Sequence, residues 1–457
     1  MARVNTTTEA RGPGKRRESL LSRVRPDTRP LAVPAFRRTL AGQATSYIGT
    51  MVTEVAVPVQ IYAISRSSLY VGLAGLAGLV PIVVFGLYGG VIADAYDRRL
   101  VCLAASAVTW LVTLALLAQA MLNAHSVGLI LALVVAQSGG FAVASATRAA
   151  IIPALVDAAL VPAANTLSYT AGNAGEVLGP LLAGVLVGAP HGFALAYGLD
   201  AVLFTGALYA TARLPAVPAA ARIGRAGLQA LLGGLRFIGG NPVVLVSFAV
   251  DIAAMTLAMP RALFPEAAAT RFHGGVGLLY SSIAVGSIIA GLCSGWIGQV
   301  RRQGVALAVA ACCWAAAIAA AGLVGNVWLA AALLALAGAA DLISVVYRQT
   351  ILQTYAPDEM RGRLQGVFTV VVSGGPRLGD LRSGAMAAAA GLTIAWTGAA
   401  LACIPVVLLI ALAVRPFWRY TAGSPDLAEG GPGAGGQPSQ ADPEPVTGPA
   451  GAGGCQP

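Results

Sequence analysis

Between Arg38 and Val414 the chain alternates long apolar stretches with short polar turns, and this alternation dictates what it can fold into. Twelve stretches run near 38–64, 70–93, 99–121, 126–147, 164–188, 192–212, 242–264, 275–298, 304–323, 326–346, 364–388 and 391–414. A helix rising about 1.5 Å per residue needs about 20 residues to cross the roughly 30 Å hydrocarbon core of a bilayer. A water-soluble domain would carry about 25% charged residues, whereas here 11% are charged and 57% are hydrophobic. The apolar runs are continuous and not alternating, which argues against a membrane β-barrel. The expected fold class is an all-α membrane protein with 12 transmembrane helices.

Polar segments divide the chain. Residues 1–37 are basic and interrupted by Gly, Pro, Ser and Thr, as in a flexible arm that touches anionic lipid or is simply solvated. Residues 38–212 and 242–414 hold six stretches each. The linker 213–241 opens with Pro and Ala. In it Leu228, Leu231, Leu232 and Leu235 align at helical spacing, as in an amphipathic connector lying on the membrane surface. Residues 415–457 are expected to be a disordered cytoplasmic tail, because from residue 421 they include ten Gly and seven Pro and cannot bury a core.

The chain has 29 basic residues (Lys15 and the rest Arg) against 19 acidic ones. In a soluble protein that excess would suggest nucleic acid. Here an N-terminus in the cytoplasm puts 24 of the 29 on that side, the pattern that orients membrane helices. Both termini are therefore expected inside, with no cleaved signal peptide and no nucleic-acid partner. His125, His191 and His273 are scattered singly and the six Cys show no CxxC spacing, so no metal site is expected.

Gly90-Val-Ile-Ala-Asp94-Ala-Tyr-Asp97-Arg98-Arg99 closes the second stretch. Gly90 permits close helix approach. Asp94 can cap a neighbouring helix and pair with Arg98 across a tight turn. Such a cluster can hold one conformation of the cytoplasmic side and release another; a plain positively charged inner loop is the simpler alternative. A degenerate copy, Gly295-Trp-Ile-Gly298-Gln299-Val-Arg301-Arg302, follows the eighth stretch with Gln299 in place of the acid, which points to duplicated halves. The fifth stretch carries Gly175, Glu176, Gly179, Pro180 and Gly184. Its small residues make a smooth face for a partner helix, and Pro180 permits a kink.

The 90–99 loop resembles the loop signature of the major facilitator superfamily, with Asp97 where that signature usually has Gly. The Gly175–Gly184 stretch resembles the Gly-Pro motif of the fifth helix in exporters of that superfamily. Four further stretches are similar to its enterobactin-exporter-like (transmembrane secretion effector) branch: Val57 to Tyr62, Met259 to Glu266, Pro357 to Arg363 and Gly375 to Gly384. The resemblance spans roughly residues 36–415. It implies the major facilitator fold, with two six-helix pseudo-repeat bundles around a central cavity.

An ionisable group inside hydrocarbon costs about 2.5–3.5 kcal/mol on insertion scales, so each needs a reason. Tyr47, Thr50 and Glu54 share one face of the first stretch and should meet a wet cavity. Asp251 is equally central in the seventh, its repeat counterpart. Two carboxyl groups at matching depth suit proton exchange or cation binding at the midplane; an acid satisfied by a structural Arg or backbone group is the alternative for each. Arg377 and Asp380 lie three apart and can pair locally. Arg382 points elsewhere and needs another partner, such as Asp251 or Asp341; a structural ion network and a substrate-anion clamp are both open. Asp341 with Arg348 reads as an inner-mouth gate, and Arg261 with Glu266 as an outer gate or headgroup-level salt bridge. Asp200 is expected to be structural, and Glu176 to serve coupling or packing. Tyr47, Tyr62, Phe141, Tyr169 and Tyr280 could line a pocket, but such residues are more often packing or interfacial aromatics and are not taken as ligands.

Together these readings predict a secondary transporter that opens alternately to either side of a bacterial cytoplasmic membrane. The resemblance implies efflux of a small amphipathic molecule, such as a siderophore, an antibiotic or another secondary metabolite, in exchange for protons. A facilitator or importer of the same fold would look nearly identical. A membrane-embedded enzyme would need a His, Cys or Ser cluster at catalytic spacing. The chain has no P-loop, so ATP is not the expected energy source. Expected partners are a small-molecule substrate, protons and the lipid bilayer, with no cofactor and with the chain acting as a monomer.

Overall fold

The computed structural model describes residues 27–214, 228–356 and 360–421. Most of the basic arm, the first half of the 213–241 linker, and the tail from 422 lie outside the described residues. The first six helices are α1 (Pro34–Ser65), α2 (Ser68–Ala95), α3 (Arg98–Met121), α4 (Val127–Leu155), α5 (Val161–Val187) and α6 (Gly192–Ala212). The linker contributes α7 (Leu228–Gly240). Then follow α8 (Pro242–Ala258), α9 (Phe264–Thr270), α10 (Val276–Leu292), α11 (Gln303–Ala321), α12 (Val327–Tyr355), α13 (Arg361–Ala390), α14 (Ala399–Ala413) and a short α15 (Arg415–Arg419).

Helix ends follow local chemistry. Pro34 opens α1, where its missing N–H is no loss. Arg66 ends α1 in the left-handed region at φ 53°, its N–H donating to the Tyr62 carbonyl. Ser126 and Asn326 cap α4 and α12 with their side-chain oxygens. Asp97 caps α3 by accepting the Arg99 N–H at 2.8 Å. The capping role expected of Asp94 lies outside the described side chains.

Each predicted apolar stretch contains a helix, but their crossing capacity differs. Among the described residues, ten helical segments are long and apolar enough to span a bilayer. At 17 residues, α10 is shorter. Helix α13 carries Arg377, Asp380 and Arg382 mid-helix, which lowers its apolarity. The stretch 242–264 is broken, contrary to expectation. Met259 is extended (φ −73°, ψ 117°), then comes a short 3-10 turn at Arg261–Leu263, and α9 restarts the helix. Pro260 is the cause, since a residue before proline is pushed out of the α region.

In the first half α1 packs on α5 and α6, α2 on α4, and α3 on α4 and α6. The second half repeats the pattern: α8 packs on α13 and α14, α10 on α12, and α11 on α12 and α14. The halves meet chiefly through two helix pairs, α2 with α13 and α5 with α10, with smaller contacts of α1 on α9 and of α2 on the Arg261–Leu263 turn. Their close backbone approaches concentrate towards the end that carries the turns 66–67, 188–191 and 271–275. A Cβ added to Gly184 would lie 2.8 Å from the Gly277 backbone, and one added to Gly72 would lie 3.0 Å from the Leu381 Cα. The helix α7 packs on α13 and α8 and leaves Leu232 and Leu235 exposed, as an interfacial connector would.

Candidate substrate cavity

A two-lobed cavity lies between the halves. One lobe, of about 150 Å³, is lined by Thr50, Glu54, Gln137, Ser138, Phe141, Arg261, Arg377 and Asp380 among others. The second, of about 270 Å³, is lined by Tyr47, Glu54, Glu176, Pro180, Arg261, Ser287 and Asp341. Met51, Glu54, Arg261 and Tyr280 border both lobes. The polar face of α1 thus meets the cavity, with Glu54 exposed within it.

Arg261 reaches this site because of the helix break. Its position in the 3-10 turn brings the guanidinium within Coulomb range of Glu54, Asp380 and Glu176. This corrects the outer-gate pairing of Arg261 with Glu266, because the Pro260 break turns Arg261 inwards. Glu266 instead accepts from Ser68 of α2. Tyr280 holds the turn: its hydroxyl donates to the Arg261 carbonyl at 3.0 Å, and Phe264 meets its ring edge-on at 5.0 Å. Of the aromatics that the sequence offered as possible pocket residues, Tyr47, Phe141 and Tyr280 line the cavity. Gln137 and Ser138 were missed, although two adjacent polar residues inside the apolar α4 were a signal.

The other acids divide sharply. Glu176 accepts the Tyr47 hydroxyl at 3.1 Å. Asp341 faces the second lobe. Asp200 is buried, taking hydrogen bonds from Thr53 at 2.7 Å and Thr113 at 3.2 Å, which suits the structural expectation. Asp251 does not line the cavity. It is buried in an ion pair with Arg348, reached because α8 and α12 pack together. The expected pairing of Arg348 with Asp341 is therefore corrected: Asp341 turns to the cavity and Arg348 to Asp251.

Two expectations for α13 also change. Arg377 and Asp380 form no direct ion pair; Asp380 accepts the backbone N–H of Ala262 at 3.1 Å, since the break leaves that N–H without a helical partner. Arg382 pairs with neither Asp251 nor Asp341. Its guanidinium donates to the carbonyls of Thr256 (3.0 Å), Leu257 (2.7 Å) and Ala395 (2.9 Å), with Met259 at 3.4 Å. These carbonyls are orphaned at the end of α8 and beside the π-turn at Ile394–Gly398.

In α5, Gly175 lies under the Tyr47 ring and Gly179 under Met51, so the motif seats α1. Gly184 meets Gly277 of the other half. Gly90 and Asp94 belong to α2, with side chains outside the described residues. Arg98 opens α3, and Arg99 donates to the Ala212 carbonyl at 2.5 Å, tying α3 to the end of α6. Among the described residues no three His, Cys, Asp or Glu side chains group as a metal site.

The profile of the transmembrane secretion effector family matches residues 27–426. The chain belongs to that family. An enterobactin exporter, EntS, of Citrobacter koseri is 33% identical over 365 residues, covering 78% of this chain and 86% of the relative. The enterobactin exporter of Escherichia coli K12 is 30% identical over 394 residues, covering 85% and 94%. Among solved structures, a bacterial homologue of the human lysosomal transporter Spinster, inward-facing and unoccupied, superposes with TM-score 0.65 at 16% identity, over 86% of this chain and 97% of that one. The nucleoside transporter NupG gives TM-score 0.67 at 13% identity, over 84% and 99%. The fold is that of the major facilitator superfamily, as the motif resemblance implied. The transmembrane secretion effector described here is a multi-pass membrane transporter and not an enzyme.

Proposed function

We propose that this chain exports a small amphipathic molecule of the siderophore class from the bacterial cytoplasm in exchange for protons, by alternating access. The names of its relatives support the direction and class. The observation that carries the coupling is the cavity itself. Glu54, Glu176, Asp341 and Asp380 line it against Arg261 and Arg377, so carboxylates outnumber guanidinium groups at hydrocarbon depth. Such an excess is relieved by taking up protons, and Glu54, bordering both lobes, is the proposed exchanging group. Asp251, already neutralised by Arg348, is left out of that role.

The proposal extends to organisation. Residues 38–212 and 242–414 act as two bundles, with both termini cytoplasmic on the strength of the basic residues. The tight end, with the Gly184–Gly277 approach, is then the outer one, and the cavity belongs to an inward-open state. Gly90, Asp94, Arg98 and Arg99 govern the cytoplasmic end, and a monomer suffices for transport.

Inverted membrane vesicles test the proposal. Imposing an acid interior is expected to drive accumulation of labelled enterobactin, and Glu54→Gln to remove the dependence on the gradient. Accumulation indifferent to both the gradient and the substitution would end the coupling assignment. Absence of any gradient-driven accumulation of enterobactin would end the siderophore assignment.

A further inference from the structure

Arg377 stands apart from the other cavity charges. Arg261 is balanced by the carboxylates around it. Glu176 is engaged by Tyr47, and Asp380 by the Ala262 N–H. Asp380 attracts the Arg377 guanidinium through space, but no hydrogen bond or ion pair holds that guanidinium among the described residues. It is half-buried and lines the first lobe with Thr50, Gln137 and Ser138, alongside the carboxylates of Glu54 and Asp380. A guanidinium at this depth without a direct counterion is costly, and a fold that keeps one needs a compensating partner.

The surroundings are shaped to hold it. A Cβ added to Gly78 of α2 would lie 2.6 Å from Arg377 Nη1 and 2.8 Å from Ser138 Oγ. The bare backbone at Gly78 therefore makes the niche in which the guanidinium sits, beside a hydroxyl that can donate to the same ligand. Arg377 comes from α13 of the second half, Ser138 and Gln137 from α4 of the first. A guanidinium presents two parallel N–H donors that match the two oxygens of a carboxylate, and a hydroxyl and an amide complete the shell.

We propose that Arg377, with Ser138 and Gln137, is a subsite for a carboxylate of the transported molecule, with Gly78 as its cradle. The subsite rests on the exporter reading above and adds to it a preference for those substrates of the class that carry a free carboxylate. Because its groups come from both halves, bound carboxylate bridges the two bundles, and separation of α4 from α13 releases it.

The test uses the purified full-length chain in nanodiscs and two probes that share a catechol ring, 2,3-dihydroxybenzoate and its methyl ester. Binding is read by calorimetry at constant pH. The parent is expected to bind the acid at least about tenfold more tightly than the ester, within the roughly millimolar range where fragments bind. Arg377→Gln is expected to erase that preference, and Arg377→Lys to keep part of it, since a lysine keeps the charge and loses the fork. Gly78→Ala keeps the arginine but displaces its tip. It meets only flexible side-chain ends there, so it folds, and it is expected to reduce the preference severalfold.

Equal affinity for acid and ester in the parent, including no binding of either, overturns the subsite. So does a preference that survives Arg377→Gln. If Arg377→Gln fails to fold, an unchanged preference in Gly78→Ala overturns it as well. Loss of the subsite with gradient-driven vesicle transport intact leaves the exporter reading standing. A preserved acid preference without gradient-driven transport does the reverse.

Discussion

Asp251→Asn, Arg348→Met and the two combined separate the worth of a buried ion pair from the cost of stranding one partner. The side chains of Arg348 and Asp251 keep only 2% and 4% of their exposure. Asp251 Oδ2 and Arg348 Nε have no hydrogen-bond partner, so the pair is not fully satisfied by its surroundings. Arg348 also lies 5.3 Å over the Phe368 ring, a contact that methionine can partly keep. Removing one member of such a pair typically costs about 3–5 kcal/mol, because the other charge is left buried and alone. Replacing both with well-packed apolar groups of similar volume is often neutral or stabilising by about 1–4 kcal/mol, and an asparagine at 251 keeps part of that gain by removing the charge while remaining polar. Each single variant should therefore lose about 3–5 kcal/mol, while the double variant lies nearer the parent than either. Denaturant unfolding of all four proteins in one detergent gives the complete cycle. Single losses below about 1 kcal/mol, or a double loss equal to their sum, would mean that water reaches the pair. Asp251 would then return as a candidate for proton exchange.

Further substitutions probe the architecture. A Cβ at position 49 would lie 3.0 Å from the Asp200 Cα and against its carboxylate, so Gly49→Ala should cost about 1–3 kcal/mol in thermal unfolding, whereas Gly206→Ala, facing open space, should cost nothing. Arg382→Leu strips the donors from the carbonyls ending α8 and should cost several kcal/mol, with faster amide exchange around Thr256 to Met259, while Arg382→Lys restores only part. Gly277→Ala crowds the Gly184 backbone, to within 2.9 Å of its Cα, and should hinder closure of the tight end. A single cysteine at Thr50 is then expected to be labelled severalfold faster from that side, and unchanged labelling would refute the closure assignment.

Helix placement was legible because a continuous apolar run in a bilayer has one solution, the helix that satisfies its own backbone. The polar face of α1 was legible for the same reason: Tyr47, Thr50 and Glu54 at helical spacing face one direction wherever the helix packs. Partner choice was not legible. Asp251 and Glu54 look alike in sequence, each a lone acid at mid-helix, yet one meets Arg348 and the other a cavity. The difference lies in which neighbour each helix touches, and α8 touches α12. Arg261 was misjudged because its place was counted along an unbroken helix, although Pro260 announced the break.

From the chain alone came the solvent, the helices, the paired halves suggested by the repeated motif, and a set of charges that had to be accounted for. All of these follow from local rules: period, propensity and the cost of exposing polar groups to lipid. Glu54 and Asp200 took the places the sequence assigned them, but tertiary packing alone decided whether the other charges went to structure or to the cavity. Arg382 and Arg348 went to structure, while Arg261 and Arg377 were left with the cavity. The reason is range. A charge inside a membrane takes the first partner within a few ångströms, and that partner comes from a helix more than a hundred residues away in sequence for Arg382, and ninety-seven for Arg348.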